Sequence, residues 1–311
     1  TLNNISQIYD AKGNYDTALR YLQQSLDIRQ QIGDRKGEGV TLNNLATTAY
    51  AKGDYDTALR YLRQALDIQQ QIGDRQGEGV TLNNLATTAY AKGDYDTALR
   101  YLQQSLDIQQ QIGDRQGEGV TLNNICQIYR VRGDYDTALR YLQQSLDISQ
   151  QIGDRQGEGV TLNNLATTAY AKGDYDTALR YLQQSLDIRQ QIGDRKGEGT
   201  TLNNISQIYD AKGDYDTALR YLQQSLDIRQ QIGDRQGEGT TLNNLATTAY
   251  AKGDYDTALR YLQQSLDISQ QIDDRKGEGA TLNNISHILA EQKQDTKTAL
   301  VYAKQAFGIA Q

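Results

Sequence analysis

One histidine, His287, and one cysteine, Cys126, are all the imidazole and thiol that this chain of 311 residues carries. A zinc site gathers several such ligands around one ion, so thiolate–imidazole zinc chemistry is excluded. Cys126 stands where other repeats carry Ala or Ser, which reads as a small packing residue. His287 stands where they carry Thr or Gln, which reads as a surface residue of the last repeat. The Gly-Glu-Gly triplets, such as Gly77 to Gly79, follow no strand and lack the order of a dinucleotide loop. Gly53-Asp-Tyr-Asp could suggest calcium, but the loop lacks the oxygen ligands of a dedicated site and Asp54 has a better use as a helix cap. A regular array spreads identical groups along its length and does not converge unlike groups on one point, which catalysis needs. No enzyme, cofactor or metal is expected.

The remaining polar chemistry is amide and phenol. Thr-Leu-Asn-Asn begins at 1, 41, 81, 121, 161, 201, 241 and 281, a period of 40 residues without drift. The first amides are Asn3, Asn43, Asn83, Asn123, Asn163, Asn203, Asn243 and Asn283; the second row runs from Asn4 to Asn284. An Asn amide both donates and accepts, so a ladder of them can hold a peptide backbone without reading its sequence. The alternative is that one row only satisfies buried backbone or bridges repeats.

Two helices per repeat position these groups. In the second unit, small or apolar residues at Tyr55, Ala58, Leu59, Leu62, Ala65, Leu66 and Ile72 follow the helical spacing of one buried face. This helix B spans 55–72, with Asp54 as N-cap and Gly73 as a left-handed C-terminal cap. Asp74 then caps a helix A expected over about 75–92, carrying Leu82, Leu85, Ala86 and Ala89. Gly77 and Gly79 fall near its start, where each costs about 1 kcal/mol relative to Ala. They are expected to let the previous repeat approach closely; the rival reading starts helix A near Val80 and leaves Gly77 to Gly79 as loop. A single hairpin cannot bury its apolar face, so the units must stack.

The run Leu42, Leu45, Ala46, Gly53, Asp54, Tyr55, Ala58, Leu62 and Ala65 resembles the tetratricopeptide repeat (TPR), and the resemblance recurs along the whole chain. The family's usual unit is shorter, and its Pro after helix B is replaced here by Gln70, so helix B runs on. The long unit, with Leu-Asn-Asn-Leu-Ala and a Gly-Asp-Arg turn, resembles the kinesin-light-chain subtype and signalling proteins with nearly identical repeats. The resemblance implies an all-α fold: a right-handed α-α superhelix of 16 antiparallel helices. It also implies a protein-interaction scaffold within a larger signalling protein, whose partner lies as a peptide or helix in a concave groove lined by helix A. The alternative is a structural spacer or self-assembling array.

Carried over by phase, the groove positions include the first Asn row, Gln7, Thr47 and a row one residue beyond the family's core tyrosine. That row reads Asp10, Tyr50, Tyr90, Arg130, Tyr170, Asp210, Tyr250 and Ala290. In repeats of the Ile-x-Gln-Ile-Tyr type, Tyr9, Tyr129 and Tyr209 keep the core phase instead. Tyrosines broken by charges make a plausible recognition wall, since Tyr offers contact area at low entropy cost. The alternative is that Tyr50 and its equivalents fold back as core.

A net charge of −7 disfavours nucleic acid and anionic membrane as partners. No apolar run approaches a membrane span and no signal peptide is visible, so a cytoplasmic location is expected. A hydrophobic fraction of 37% suits a thin continuous core. One solenoid over 1–311 is expected, with repeats 1–40, 41–80, 81–120, 121–160, 161–200, 201–240 and 241–280 and a divergent cap at 281–311. The start at Thr1 without Met reads as a piece of something longer. Its uncapped first face is expected to give weak end-to-end self-association.

Overall fold

The computed structural model describes residues 2–292 and 295–310. The helices are α1 (Leu2–Ala11), α2 (Tyr15–Ile32), α3 (Arg35–Ala51), α4 (Tyr55–Ile72), α5 (Arg75–Ala91), α6 (Tyr95–Ile112), α7 (Arg115–Val131) and α8 (Tyr135–Ile152). They continue as α9 (Arg155–Ala171), α10 (Tyr175–Ile192), α11 (Arg195–Ala211), α12 (Tyr215–Ile232), α13 (Arg235–Ala251), α14 (Tyr255–Gln271), α15 (Arg275–Glu291) and α16 (Thr296–Ala310). The chain forms two compact units, Thr1–Gly157 and Glu158–Gln311. The divergent last repeat carries one more residue than the others in the turn between α15 and α16, and that turn falls partly outside the described residues.

Each boundary has a local cause. The Asp54 carboxylate accepts from the Thr57 N–H at 3.0 Å and satisfies a free amide of α4's first turn. At the other end Gly73 adopts φ 70°, while the Asp74 N–H reaches back to the Gln69 carbonyl at 2.9 Å. Only glycine enters that left-handed region without strain. Asp74 immediately caps α5 by accepting from the Gly77 N–H at 3.1 Å. Helix A therefore starts at Arg75, and the reading that began it near Val80 is overturned, because the Asp cap sits directly before Arg75 and closes on Gly77.

The two glycines near that start serve different neighbours. A side chain at Gly77 would meet its own cap, Asp74 Oδ2 at 2.7 Å, and Gln69 of the preceding helix at 2.9 Å. Gly79 instead faces the following helix, with Gln109 Cγ at 3.6 Å and Ile108 Cγ2 at 3.7 Å. The expectation that both admit the previous repeat holds for Gly77 and is corrected for Gly79. The glutamate between them is buried: Glu78 accepts from Arg75 Nη1 at 2.5 Å and Gln70 Nε2 at 3.1 Å. Arg75 Nη2 continues to Gln111 Oε1 at 3.0 Å, so the triplet's carboxylate ties three helices together.

Within each unit the core lies between hairpin partners and the next hairpin, with Ala58, Leu62, Leu82 and Leu85 among its fully enclosed members. Successive A helices touch, α3 with α5 and α5 with α7 in the first unit, α11 with α13 and α13 with α15 in the second. Among the described residues, successive B helices do not. The A helices thus form the tight wall of each unit and the B helices splay.

Candidate functional site

The amide rows are bound to each other across the repeats. Asn83 Nδ2 donates to Thr121 Oγ1 of the next A helix at 2.7 Å and to Ser105 Oγ at 2.7 Å. Its carbonyl oxygen accepts from Asn124 Nδ2 at 3.1 Å. Asn43 repeats the pattern, donating to Thr81 Oγ1 at 2.8 Å and accepting from Asn84 at 3.1 Å, and Asn163 accepts from Asn204 at 3.0 Å. Asn243 donates to Ser265 at 2.6 Å and Thr281 at 3.1 Å, Asn123 to Ser145 at 2.6 Å, and Asn3 more weakly to Thr41 at 3.5 Å. Asn283 lies exposed at the end. Where these bonds form, the first row holds repeats in register, the bridging alternative, and Asn84, Asn124 and Asn204 of the second row donate to it.

The tyrosines form two registers. Tyr50, Tyr90, Tyr170 and Tyr250 are half-buried and lie against the first tyrosine of the following B helix, with Tyr50 to Tyr55 centroids 5.3 Å apart and Tyr250 to Tyr255 5.5 Å apart. Tyr9, Tyr129 and Tyr209 stack on the second, with Tyr129 to Tyr141 at 5.5 Å. Moving the ring one position along helix A swaps its partner, because one residue turns the side chain by about 100°.

Where the shifted tyrosines stand, the A wall is open. In the first unit a cleft of about 210 Å³ is floored by Ala86, Leu102 and Ile128 and rimmed by Tyr50, Tyr90 and Gln127. In the second unit a cleft of about 210 Å³ is floored by Ala246, Leu262 and Ile288 and rimmed by Tyr250, Asn284 and His287. The His287 ring lies 5.8 Å from that of Tyr250, its Nε2 is 3.4 Å from the phenol oxygen, and its Nδ1 is 3.4 Å from Glu291. Each cleft has an apolar floor and a rim of hydroxyl, amide or imidazole. Such a site encloses an apolar side chain while the rim meets peptide N–H and C=O groups.

The other named positions fall around these clefts. Thr47 and Gln7 are exposed, and Thr47 Oγ1 donates to the Asn43 carbonyl at 3.0 Å. Asp10, Arg130 and Asp210 are half-buried at the phase of the rim tyrosines. Cys126 is buried, and desolvation pushes its thiol up to about 12, as befits a packing residue. Sequence reasoning left Gln127 out of the site, although Gln7 at the same phase was singled out; His287, read as a surface residue, is exposed and stands on the rim of the second cleft.

Antiparallel hairpins stacked at a fixed 40-residue register define a helical repeat protein. A model of the tetratricopeptide repeat matches residues 1–71, 37–111, 77–151, 117–191, 158–231 and 237–311, and the chain belongs to that family. No curated protein sequence matches it. Among solved structures it is similar to the nearly identical TPR-like repeats of a putative kinesin light chain from Podosopora anserina. That match has TM-score 0.51 and 19% identity, over 61% of this chain and 94% of that one. A signal-transduction ATPase with a TPR sensor from Pyrococcus horikoshii has TM-score 0.67 and 19% identity, over 90% of this chain and 44% of that one. A Rap protein complexed with competence and sporulation factor has TM-score 0.62 and 14% identity, over 99% of this chain and 96% of that one. At such identities these likenesses show the fold alone. No described helix is long and apolar enough to cross a membrane.

Proposed function

We propose that this chain is a non-catalytic scaffold that binds an extended peptide or a helix along its A-helix wall, as a module of a larger cytoplasmic signalling protein. The observation that carries this reading is the pair of clefts, one in each unit, each combining an apolar floor with a hydrogen-bonding rim. Each is too small for a drug-sized ligand, for which about 300 Å³ is the lower bound, and suits a single side chain. The Rap protein's complex with competence and sporulation factor is a parallel on the same fold. Of the sequence-named positions, the shifted tyrosines take the contact role, and the first Asn row keeps the wall in register. The acidic balance argues against nucleic acid.

The test replaces exposed Thr87 and Thr247, beside the two clefts, by Arg, which blocks the clefts without touching the core. Peptides selected from a random display library by the parent should lose binding to the Thr87→Arg/Thr247→Arg variant. Equal binding by both proteins would remove the clefts from the account.

A further inference from the structure

A different cleft opens where the B helices α6 and α8 splay. It measures about 450 Å³ and is lined by Tyr129 of α7, Tyr141 of α8 and Asp96, Leu99, Arg100 and Gln104 of α6. It shares no residue with the A-wall clefts. Small-ligand pockets begin at about 300 Å³, so this one is large enough for a whole small ligand. The Tyr129 and Tyr141 rings are half-buried and stack at 5.5 Å with their planes 18° apart. The charges around them do not cancel. Asp96 is held in an ion pair by Arg132. Arg100 makes no ion pair among the described residues; its guanidinium lies 5.6 Å from the Tyr101 ring centroid. Asp94, which feels its charge, already accepts from the Thr97 N–H at 3.1 Å. Two repeats on, the second unit copies the arrangement. Tyr209 of α11 stacks on Tyr221 of α12 at 5.6 Å, Arg180 of α10 lies 5.6 Å from the Tyr181 centroid without an ion pair, and Asp176 is held by Lys212 at 3.0 Å.

We propose that these B-helix sites bind an aromatic ring that carries a carboxylate, with the ring against the stacked tyrosines and Leu99 and the carboxylate on Arg100, or on Arg180 in the second unit. A planar ring gains offset-stacked or edge-to-face contact with a tyrosine pair. A guanidinium offers a carboxylate two parallel N–H donors, and its attraction strengthens where no other anion competes. Of the two amides of α6 that line the cleft, Gln103 is bound to Asp107 at 3.0 Å, which leaves Gln104 to meet the ligand. A cationic ring would satisfy the tyrosines and leave Arg100 unanswered. The site belongs to the repeats that keep tyrosine at the core phase. Ala49, Ala89, Ala169 and Ala249 hold that phase in the others and supply no ring to stack on the B helix. Tyr9 also stacks on Tyr21, without a preceding B helix among the described residues to supply the arginine.

The experiment titrates the full chain, isotope-labelled in its tyrosine rings, with phenylacetate and follows the ring signals by NMR. Acetate lacks the ring and benzylamine carries the opposite charge, so both serve as controls. Phenylacetate is expected to shift Tyr129, Tyr141, Tyr209 and Tyr221 saturably, while the controls leave them in place. Arg100→Gln/Arg180→Gln changes two exposed side chains outside the core, so the fold is retained, which circular dichroism checks. It should weaken phenylacetate binding about ten- to a hundredfold. Arg100→Gln alone should silence Tyr129 and Tyr141 and leave Tyr209 and Tyr221 responding. A peptide ending in Gly-Gly-Phe with a free carboxylate separates the two sources of this chemistry: tighter binding than phenylacetate marks a chain terminus, and weaker binding marks a free acid. No saturable shift of these rings by phenylacetate, an equal response to benzylamine, or unchanged affinity in the double variant overturns the inference, and none of these outcomes bears on the A-wall clefts.

Discussion

Asn83 and Asn203 occupy one phase of the repeat and should respond to the same substitution very differently. Asn83→Ala removes two donated hydrogen bonds of 2.7 Å, to Ser105 and Thr121, and one accepted from Asn124 at 3.1 Å. The two hydroxyls keep their own acceptors, Gly79 O at 2.8 Å and Gln109 Oε1 at 2.7 Å, so neither is left as an orphaned donor. At about 1 kcal/mol net per bond the loss is about 3 kcal/mol. Asn203→Ala removes one bond, to Thr241 at 3.1 Å, and also deletes the unpartnered Oδ1. The lost bond, about 1 kcal/mol, is offset by an unsatisfied acceptor worth about 1–3 kcal/mol, so the net change is about zero or slightly stabilising. Urea unfolding fitted as a chain of coupled repeats, together with native-state hydrogen exchange across α5 to α7 and α11 to α13, reads both values. Equal destabilisation by the two substitutions would refute the bonding pattern as the reason the first Asn row exists.

Asp273 stands where other repeats carry the capping glycine and is held at φ 57°; Asp273→Gly should raise stability by about 1 kcal/mol in thermal melts. Gly197→Ala would place a methyl 1.5 Å from Arg189 Nη1 and displace its 2.7 Å ion pair with Asp194, which is largely buried. A loss of about 3 kcal/mol is expected. Gly119→Ala meets nothing nearer than 3.6 Å and should be neutral or stabilising in the same denaturation assay. The cap carboxylates Asp94, Asp134, Asp174 and Asp254 are held below the ordinary value of 3.8 by bonds from the threonine three residues on. With a lowered folded value, their contribution is full above pH 3.8 and is lost as pH falls through the folded values. Changing these aspartates to Asn, the residue that already caps α2 as Asn14, should flatten the acid limb of the stability profile.

Helix boundaries were legible because their causes are local. Asp54, Gly73 and Asp74 each act within a few residues of themselves, so α4 is found at 55–72 as its sequence pattern requires. The contact roles were harder. Asn43 bonds to Thr81, whose place beside it depends on how one hairpin stacks on the next. Nothing in the periodicity fixes which way an amide turns. The clefts are harder still, since Tyr50, Leu102 and Gln127 come from three different helices and only packing brings them to one opening. The tyrosine rows lay between the two readings offered for them: half-buried against Tyr55 and its equivalents, yet still on the cleft rims.

Methyl-labelled NMR on the full chain gives the most direct view of whether the clefts take a peptide side chain. Ile128 and Ile288 floor the clefts, while Ile125 is equally enclosed but lies outside them. Titration with a selected peptide is predicted to shift Ile128 or Ile288 and leave Ile125 in place. Saturable binding that leaves both floor methyls unmoved would contradict the assignment of the A-helix wall as the recognition surface.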